Sequence, residues 1–271
     1  MNIGIIGAGH LGKALVAGLV QSGMKQEQII LNARSKETLD AQKRVYPGIR
    51  TTADKKELAE KADVIVLVVR AQNAGEVLAE IGETDLNGKT IVSLMAGVTL
   101  GDMREALGNT CSGYRLARMM PTVGISICKG VIGVSCGEDS PVPENVMDVF
   151  RPLGYLISLP EEKLESITIC AASGLAFTAA LMKAYRDASN RLIGDLPVSE
   201  EITLRVFENV IETVRTEGNT FEKLIGQIST KGGTTEAGMN VLENSGLDEI
   251  IGKCLDTAYA RVSGLKGLML L

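Results

Sequence analysis

The chain has 271 residues, 45% of them apolar, enough to bury one large core or two modest ones. Its formal charge of −5 and pI near 5.2, with basic residues scattered along the chain, exclude the electrostatic footprint of a nucleic-acid or anionic-membrane binder. An aromatic content of 3% and a single histidine also exclude base-stacking platforms and most histidine-based triad or metal chemistry.

The predicted elements follow a regular rhythm. β-branched runs at 2–6, 28–33, 63–68 and 90–94 predict strands, separated by helical segments starting near His10, Ser35, Lys55 and Asn73. Two further strands are expected at 114–119 and 130–135, flanking an irregular MMPTVG turn, followed by a helix over 143–151 and a last strand at 155–158. After Pro160 apolar residues recur at spacings of three and four over 164–192, 200–217 and 247–268, which predicts long helices.

The expected fold class is therefore α/β: an N-terminal Rossmann-type doubly wound sheet over 1–159 and a C-terminal all-helical domain over 160–271. The first long helix carries the small-residue run AASGLAFTAALMKA, which permits close helix approach, so a homodimer or higher homo-oligomer through these helices is expected. No apolar run approaches the roughly 20 residues of a membrane span and no signal peptide is recognisable, so the protein is expected to be cytoplasmic. Cys111, Cys128, Cys136, Cys170 and Cys254 are widely spaced with no CxxC pair; they are expected to be buried thiols, with no metal site.

Directly after the first strand stands GAGHLG, with Gly7, Gly9 and Gly12 in the G-x-G-x-x-G register and His10 and Leu11 between them. In that register Gly7 allows a tight turn and Gly9 lets backbone N–H groups approach a pyrophosphate. Gly12 lets the helix pack against the strand while its N-terminus offers partial positive charge. A bound dinucleotide follows. About twenty residues beyond Gly12, where an acidic side chain would accept a ribose 2′-OH, the chain has Asn32, followed by Arg34, Ser35 and Lys36. Two cations and a hydroxyl favour a 2′-phosphate, hence NADP(H), with NAD(H) possible.

In the second domain, STKGGTTEAGMN is a polar, glycine-rich turn running into a helical pattern. Free N–H groups at a helix start can hold a small carboxylate; equally, Thr234 or Thr235 can be an ordinary N-cap.

Taken together, the two segments resemble the pyrroline-5-carboxylate reductase family, from IGIIGAGHLG at the N-terminus to the C-terminal helices, with KGGTTEAGMNVLE the most specific element. NARS at 32–35, SLMAG at 93–97 and the stretch 118–121 also match. The resemblance implies an oxidoreductase that reduces a cyclic imine carboxylate, a small molecule, with NADPH. It implies that Thr230, Gly232, Gly233, Thr234 and Thr235 hold the substrate carboxylate and ring nitrogen, Thr235 being the catalytic candidate. Ala96, Gly97, Met120, Pro121 and Thr122 would line the cofactor.

Departures from the family pattern cluster near the ligands. A Lys-Pro-Gln is replaced by Arg70-Ala71-Gln72, with Arg70 preserving the charge, and a Met-Pro-Asn-Thr-Pro by residues 120–124. A Gly-Ser-Gly-Pro-Ala is replaced by residues 172–176, and the signature proline by Lys231, whose ammonium could add a contact to a carboxylate. Three alternatives stay open: reduction of a related cyclic imine carboxylate, a non-catalytic NADP-binding paralogue, and a β-hydroxyacid dehydrogenase. The last would use a lysine acid/base, but Lys183 follows Gly174 by nine residues where that pattern has four, and reads as a surface or interface residue.

Overall fold

The computed structural model describes residues 1–108, 113–137, 141–216 and 218–266. By contacts the chain forms two compact units, Met1–Ala172 with Tyr259–Leu271, and Ser173–Ala258.

The first unit is built on eight strands: β1 (Ile3–Ile6), β2 (Ile29–Asn32), β3 (Arg50–Thr52), β4 (Val64–Leu67), β5 (Thr90–Ser93), β6 (Arg115–Pro121), β7 (Gly130–Cys136) and β8 (Gly154–Ser158). Their order in the sheet is β3-β2-β1-β4-β5-β6-β7-β8, parallel throughout except where β6 meets β7. The order reverses at β1, between β2 and β4, and loops at the carboxyl ends there form a binding crevice.

The strands pack on both faces, which explains their nearly continuous apolar runs. Ile3, Ile5, Val64 and Val66 point into one core layer with Leu15, Val16 and Leu19 of α1 (His10–Gln21). Ile6, Ile65 and Leu67 point into the other. That second layer is closed by α3 (Lys55–Lys61), α4 (Ala74–Gly82) and α5 (Leu100–Leu107), through Leu58, Val77, Leu78, Ile81, Met103 and Leu107. The remaining helices of this unit are α2 (Lys36–Val45), α6 (Glu144–Phe150) and the single turn α7 (Leu164–Ile167).

Beyond the end of the sheet, residues 161–172 stay with the first unit, because Leu164, Glu165 and Ile169 are buried and Glu161 and Glu165 pair with Arg118 of β6. A π-helical turn, Thr168–Ser173, then leads into α8 (Gly174–Ile193), so the helix expected over 164–192 is interrupted.

In the second unit α8 and α9 (Leu196–Arg215) form a helical hairpin around Gly194, whose φ of +76° suits glycine. Tyr185 and Phe207 meet edge to face at 6.0 Å. Only Ser199 and Thr203 are buried among the described residues of this unit, while Leu181, Leu192, Ile202 and Leu204 are exposed in the single chain. α10 (Phe221–Ile228) and α11 (Thr234–Glu243) follow, and then α12 (Leu247–Lys266), whose residues from Tyr259 onward group with the first unit.

Two expectations are corrected. The helical stretch Glu161–Ile193 is long and apolar enough to cross a membrane, with a mean hydropathy of 1.6 in its most apolar window. Small residues and a low charge count make the window apolar without an unbroken run of large side chains. The thiols are also less buried than expected: Cys128 and Cys136 are half-buried and Cys170 and Cys254 exposed, because the helices carrying the last two are incompletely covered in the single chain; Cys111 lies outside the described residues.

Candidate functional site

The glycine loop has the geometry its register demands. Gly7 sits at φ +115°, and a Cβ there would stand 2.3 Å from the Val68 carbonyl oxygen. A Cβ on Gly12 would stand 2.0 Å from the Gly7 carbonyl oxygen, so this residue brings α1 against the strand end. Gly9 is the N-cap of α1 and faces open space, with nothing within 4 Å of an added Cβ. The first N–H groups of α1 have no intrahelical acceptor. A pyrophosphate can therefore approach the Gly9 backbone closely and accept from them.

Beside the loop lies a cleft of about 400 Å³ lined by Gly7, Gly9, Asn32, Arg34, Ser35 and Arg70, with Thr38, Lys55, Asn73 and Glu76 on its walls. Arg34 and Arg70 are exposed, and neither has an ion-pair partner among the described residues. Asn32 is buried: its carbonyl accepts the Gly7 N–H at 3.0 Å and its side-chain amide donates to the Thr52 carbonyl at 3.1 Å. Ser35 caps α2, accepting the Thr38 N–H at 3.3 Å while its hydroxyl donates to Glu37 at 2.6 Å. That hydrogen bond holds the Glu37 carboxyl below its ordinary value. The cleft has the size and donors that the adenosine half of a dinucleotide would need, with Arg34 on its lining and no acidic residue at position 32. NADP(H) fits it.

His10 is exposed at the start of α1, and Leu11 packs partly into the core. The remaining residues expected near the cofactor stand at the carboxyl ends of β5 and β6. Ala96 is exposed in the turn after β5, and Gly97 has φ +79°. Met120 is buried, Pro121 half-buried, and Thr122 buried with its hydroxyl accepting the Val131 N–H at 3.1 Å. The Thr122 side chain thus ties β6 to the start of β7.

Below this turn lies a group that sequence reasoning missed. Arg118 is 1% exposed and its guanidinium reaches Glu161 at 3.0 Å and Glu165 at 2.9 Å. Glu165 also accepts the Gly97 N–H, and Glu161 the Leu100 N–H. The available signal was an arginine inside the apolar run LARMM, a residue that burial requires to be paired.

In the second unit, the Thr230 carbonyl accepts the Gly233 N–H at 2.9 Å, and Gly232 turns the chain at φ +75°. α11 starts at Thr234, and its N-cap is Gly233 with no side-chain cap. Neither threonine caps the helix; the Glu236 carboxylate instead folds back onto the Gly232 N–H at 2.7 Å. Lys231 and Thr234 are exposed and Thr235 is half-buried. The turn is a donor-rich helix start whose hydroxyls remain available to a ligand.

Lys183 is exposed and pairs with Asp187 at 2.7 Å. Its hydrogen bond, with that of Arg186, holds the Asp187 carboxyl below its usual range. A lysine so placed on the surface of α8 fits an ion-pair role better than an acid/base one. Among the described residues no cluster of metal-binding side chains is present.

Comparison with known proteins matches both parts of the chain. Residues 2–97 match the family model described as NADP oxidoreductase coenzyme F420-dependent, and residues 161–265 the one described as pyrroline-5-carboxylate reductase dimerisation. Pyrroline-5-carboxylate reductase 2 of Bacillus subtilis is 27% identical over 269 residues, covering 98% of this chain and 95% of that protein. The solved pyrroline-5-carboxylate reductase of Coxiella burnetii superposes with a TM-score of 0.85 at 28% identity, covering 97% of this chain and 98% of that one. The Plasmodium falciparum pyrroline carboxylate reductase, solved with NADP bound, has the same TM-score at 21% identity, covering 98% of each chain, a likeness of fold.

Proposed function

We propose that the chain is a member of the pyrroline-5-carboxylate reductase family and that it reduces 1-pyrroline-5-carboxylate to proline with NADPH. The observation that carries the reading is that one chain holds both an open glycine loop beside an arginine-lined cleft and the donor-rich turn 229–235.

When bound, NADPH supplies the hydride. The substrate enters as the iminium, so the carbon accepts hydride without a side-chain acid, and the protein's task is positioning. The turn over Gly232, Gly233 and Thr234 holds the carboxylate, the Thr234 N–H donating directly and those of Gly232 and Gly233 on leaving Glu236 and the Thr230 carbonyl, with Thr230 beside them, and Lys231 adds a charge-assisted contact. The Thr235 hydroxyl accepts a hydrogen bond from the ring N–H as the amine forms. In the first unit, Gly7, Gly9, His10, Leu11 and Gly12 hold the pyrophosphate, and Asn32, Arg34, Ser35 and Arg70 the adenosine half. The turns bearing Ala96, Gly97 and Met120 to Thr122 take the nicotinamide half.

The assembly is proposed to be a homodimer through the helical unit. Support comes from the match to a dimerisation family over 161–265 and from the apolar side chains that α8 and α9 leave exposed in the single chain. The same surface accounts for the apolar window in Glu161–Ile193 as protein contact. The free cysteines among the described residues are consistent with a reducing, cytoplasmic setting.

NADPH oxidation followed by absorbance with racemic pyrroline-5-carboxylate tests the reading, with NADH and the six-membered imine carboxylate alongside. Turnover of the five-membered ring supports it. Binding of NADPH without turnover would replace it with a different imine or a non-catalytic role.

A further inference from the structure

The turn that joins β5 to α5 is held from beneath by a charge cluster. Glu165 is 2% exposed, and one of its oxygens accepts both the Arg118 guanidinium at 2.9 Å and the Gly97 N–H at 3.2 Å. Glu161 likewise accepts Arg118 at 3.0 Å and the Leu100 N–H at 2.7 Å. Arg118 also donates to the Met95 carbonyl at 3.4 Å. The cluster therefore grips the turn at Met95, Gly97 and Leu100, and leaves Ala96 exposed on its outer side.

An ion pair that served only to pin residues 161–172 to the sheet would not need the turn's amides. Here each carboxylate accepts a turn amide as well as Arg118, and Gly97 turns the chain at a positive φ that glycine tolerates. The turn lies at the carboxyl end of β5, next to β4, while the adenosine cleft lies toward β2. A dinucleotide whose pyrophosphate sits at α1 runs its other half toward β4 and β5.

We propose that Glu165, carried on Arg118, is a positioning residue that fixes the Gly97 turn for the nicotinamide half of the cofactor. The proposal rests on the NADPH reading above. It assigns Glu165 no contact with substrate; its effect passes through the backbone of residues 95–97. A displacement of the turn by about an ångström is enough to matter, since such misplacement can cost on the order of a hundredfold in rate.

The test compares NADPH with 2′,5′-ADP, which occupies only the adenosine end, in the full-length enzyme. Glu165→Asp keeps the buried charge but is one methylene short of holding both Arg118 and Gly97; Glu165→Gln keeps the length. Expected for Glu165→Asp are NADPH affinity and kcat each lowered about tenfold or more, with 2′,5′-ADP affinity unchanged, and substantial recovery in Glu165→Gln. Should Glu165→Asp fail to fold, Arg118→Lys, which keeps the charge beside Glu165 but loses the guanidinium fork that holds it, is judged by the same comparison. Equal losses for both ligands, or no loss in a folded variant, overturn the proposal. If the wild-type enzyme turns over no imine, the functional reading fails, while the two binding constants still decide the role of Glu165.

Discussion

A Cβ on Gly12 would lie 2.0 Å from the carbonyl oxygen of Gly7, whereas one on Gly9 would meet nothing within 4 Å. Two glycines of one motif thus stand in different surroundings: Gly12 is required by the fold, while Gly9 leaves open space for which the proposed ligand is the expected occupant. Gly12→Ala is expected to push α1 off the loop, lowering both the melting temperature and NADPH affinity. Gly9→Ala should leave the melting temperature within a few degrees and weaken NADPH at least about tenfold, because its methyl meets only the pyrophosphate. Thermal unfolding and a binding titration on both variants separate the two roles; equal effects on melting would contradict the assignment.

Arg34 is exposed on the cleft beside the glycine loop, where position 32 is asparagine rather than an acidic residue. A charge-assisted hydrogen bond to a 2′-phosphate is worth about 1.5–3 kcal/mol, or roughly ten- to hundredfold in affinity. Arg34→Ala is expected to lose that much for NADPH while NADH binding stays nearly unchanged. Equal weakening of the two cofactors would place the phosphate elsewhere.

The Glu236 carboxylate occupies the Gly232 N–H that the substrate carboxylate is proposed to use. Replacing it with glutamine removes a like charge from an anion site at the surface, and Glu236→Gln is expected to lower the imine KM about two- to tenfold at low salt. Lys231→Ala should move KM the opposite way by a similar factor. KM values unmoved in both variants would leave Lys231 and Glu236 as ordinary solvent-facing residues.

Thr235 lies in the first turn of α11 and does not cap it, so its hydroxyl is not committed to the helix end. Thr235→Val preserves shape and removes the acceptor. The expected result is a fall in kcat/KM of about tenfold or more, corresponding to roughly 1.4 kcal/mol, with unchanged NADPH affinity. A change within about twofold would remove Thr235 from the chemistry.

The parallel sheet was legible because its strands are buried on both faces and carry near-continuous apolar runs, and the glycine loop because its register lies between a strand and a helix. β3 was missed: Arg50–Thr52 is three residues long, at the sheet edge and half-buried, so it leaves no run to read. α5 was also missed, although its Thr99 and Asp102 form a capping box that marks its start. Nothing in the helical pattern over 164–192 marks Glu165, since its partner Arg118 is 47 residues earlier and only the fold joins them. The walls of the cleft were invisible for the same reason: Thr38, Lys55 and the pair Asn73 and Glu76 come from three separate chain segments. In the turn 229–235 the N-cap is Gly233 rather than a threonine, because glycine accepts the extended cap conformation and Glu236 satisfies the preceding amide.

The most direct test of the account follows the hydride itself. The enzyme is given NADPH carrying deuterium at the transferred position of C4, together with unlabelled pyrroline-5-carboxylate, and the proline formed is analysed by mass spectrometry and NMR. The expected product is proline with one deuterium, located on the ring carbon that was the imine carbon. Unlabelled proline, or no proline from an enzyme that still binds NADPH, would contradict it.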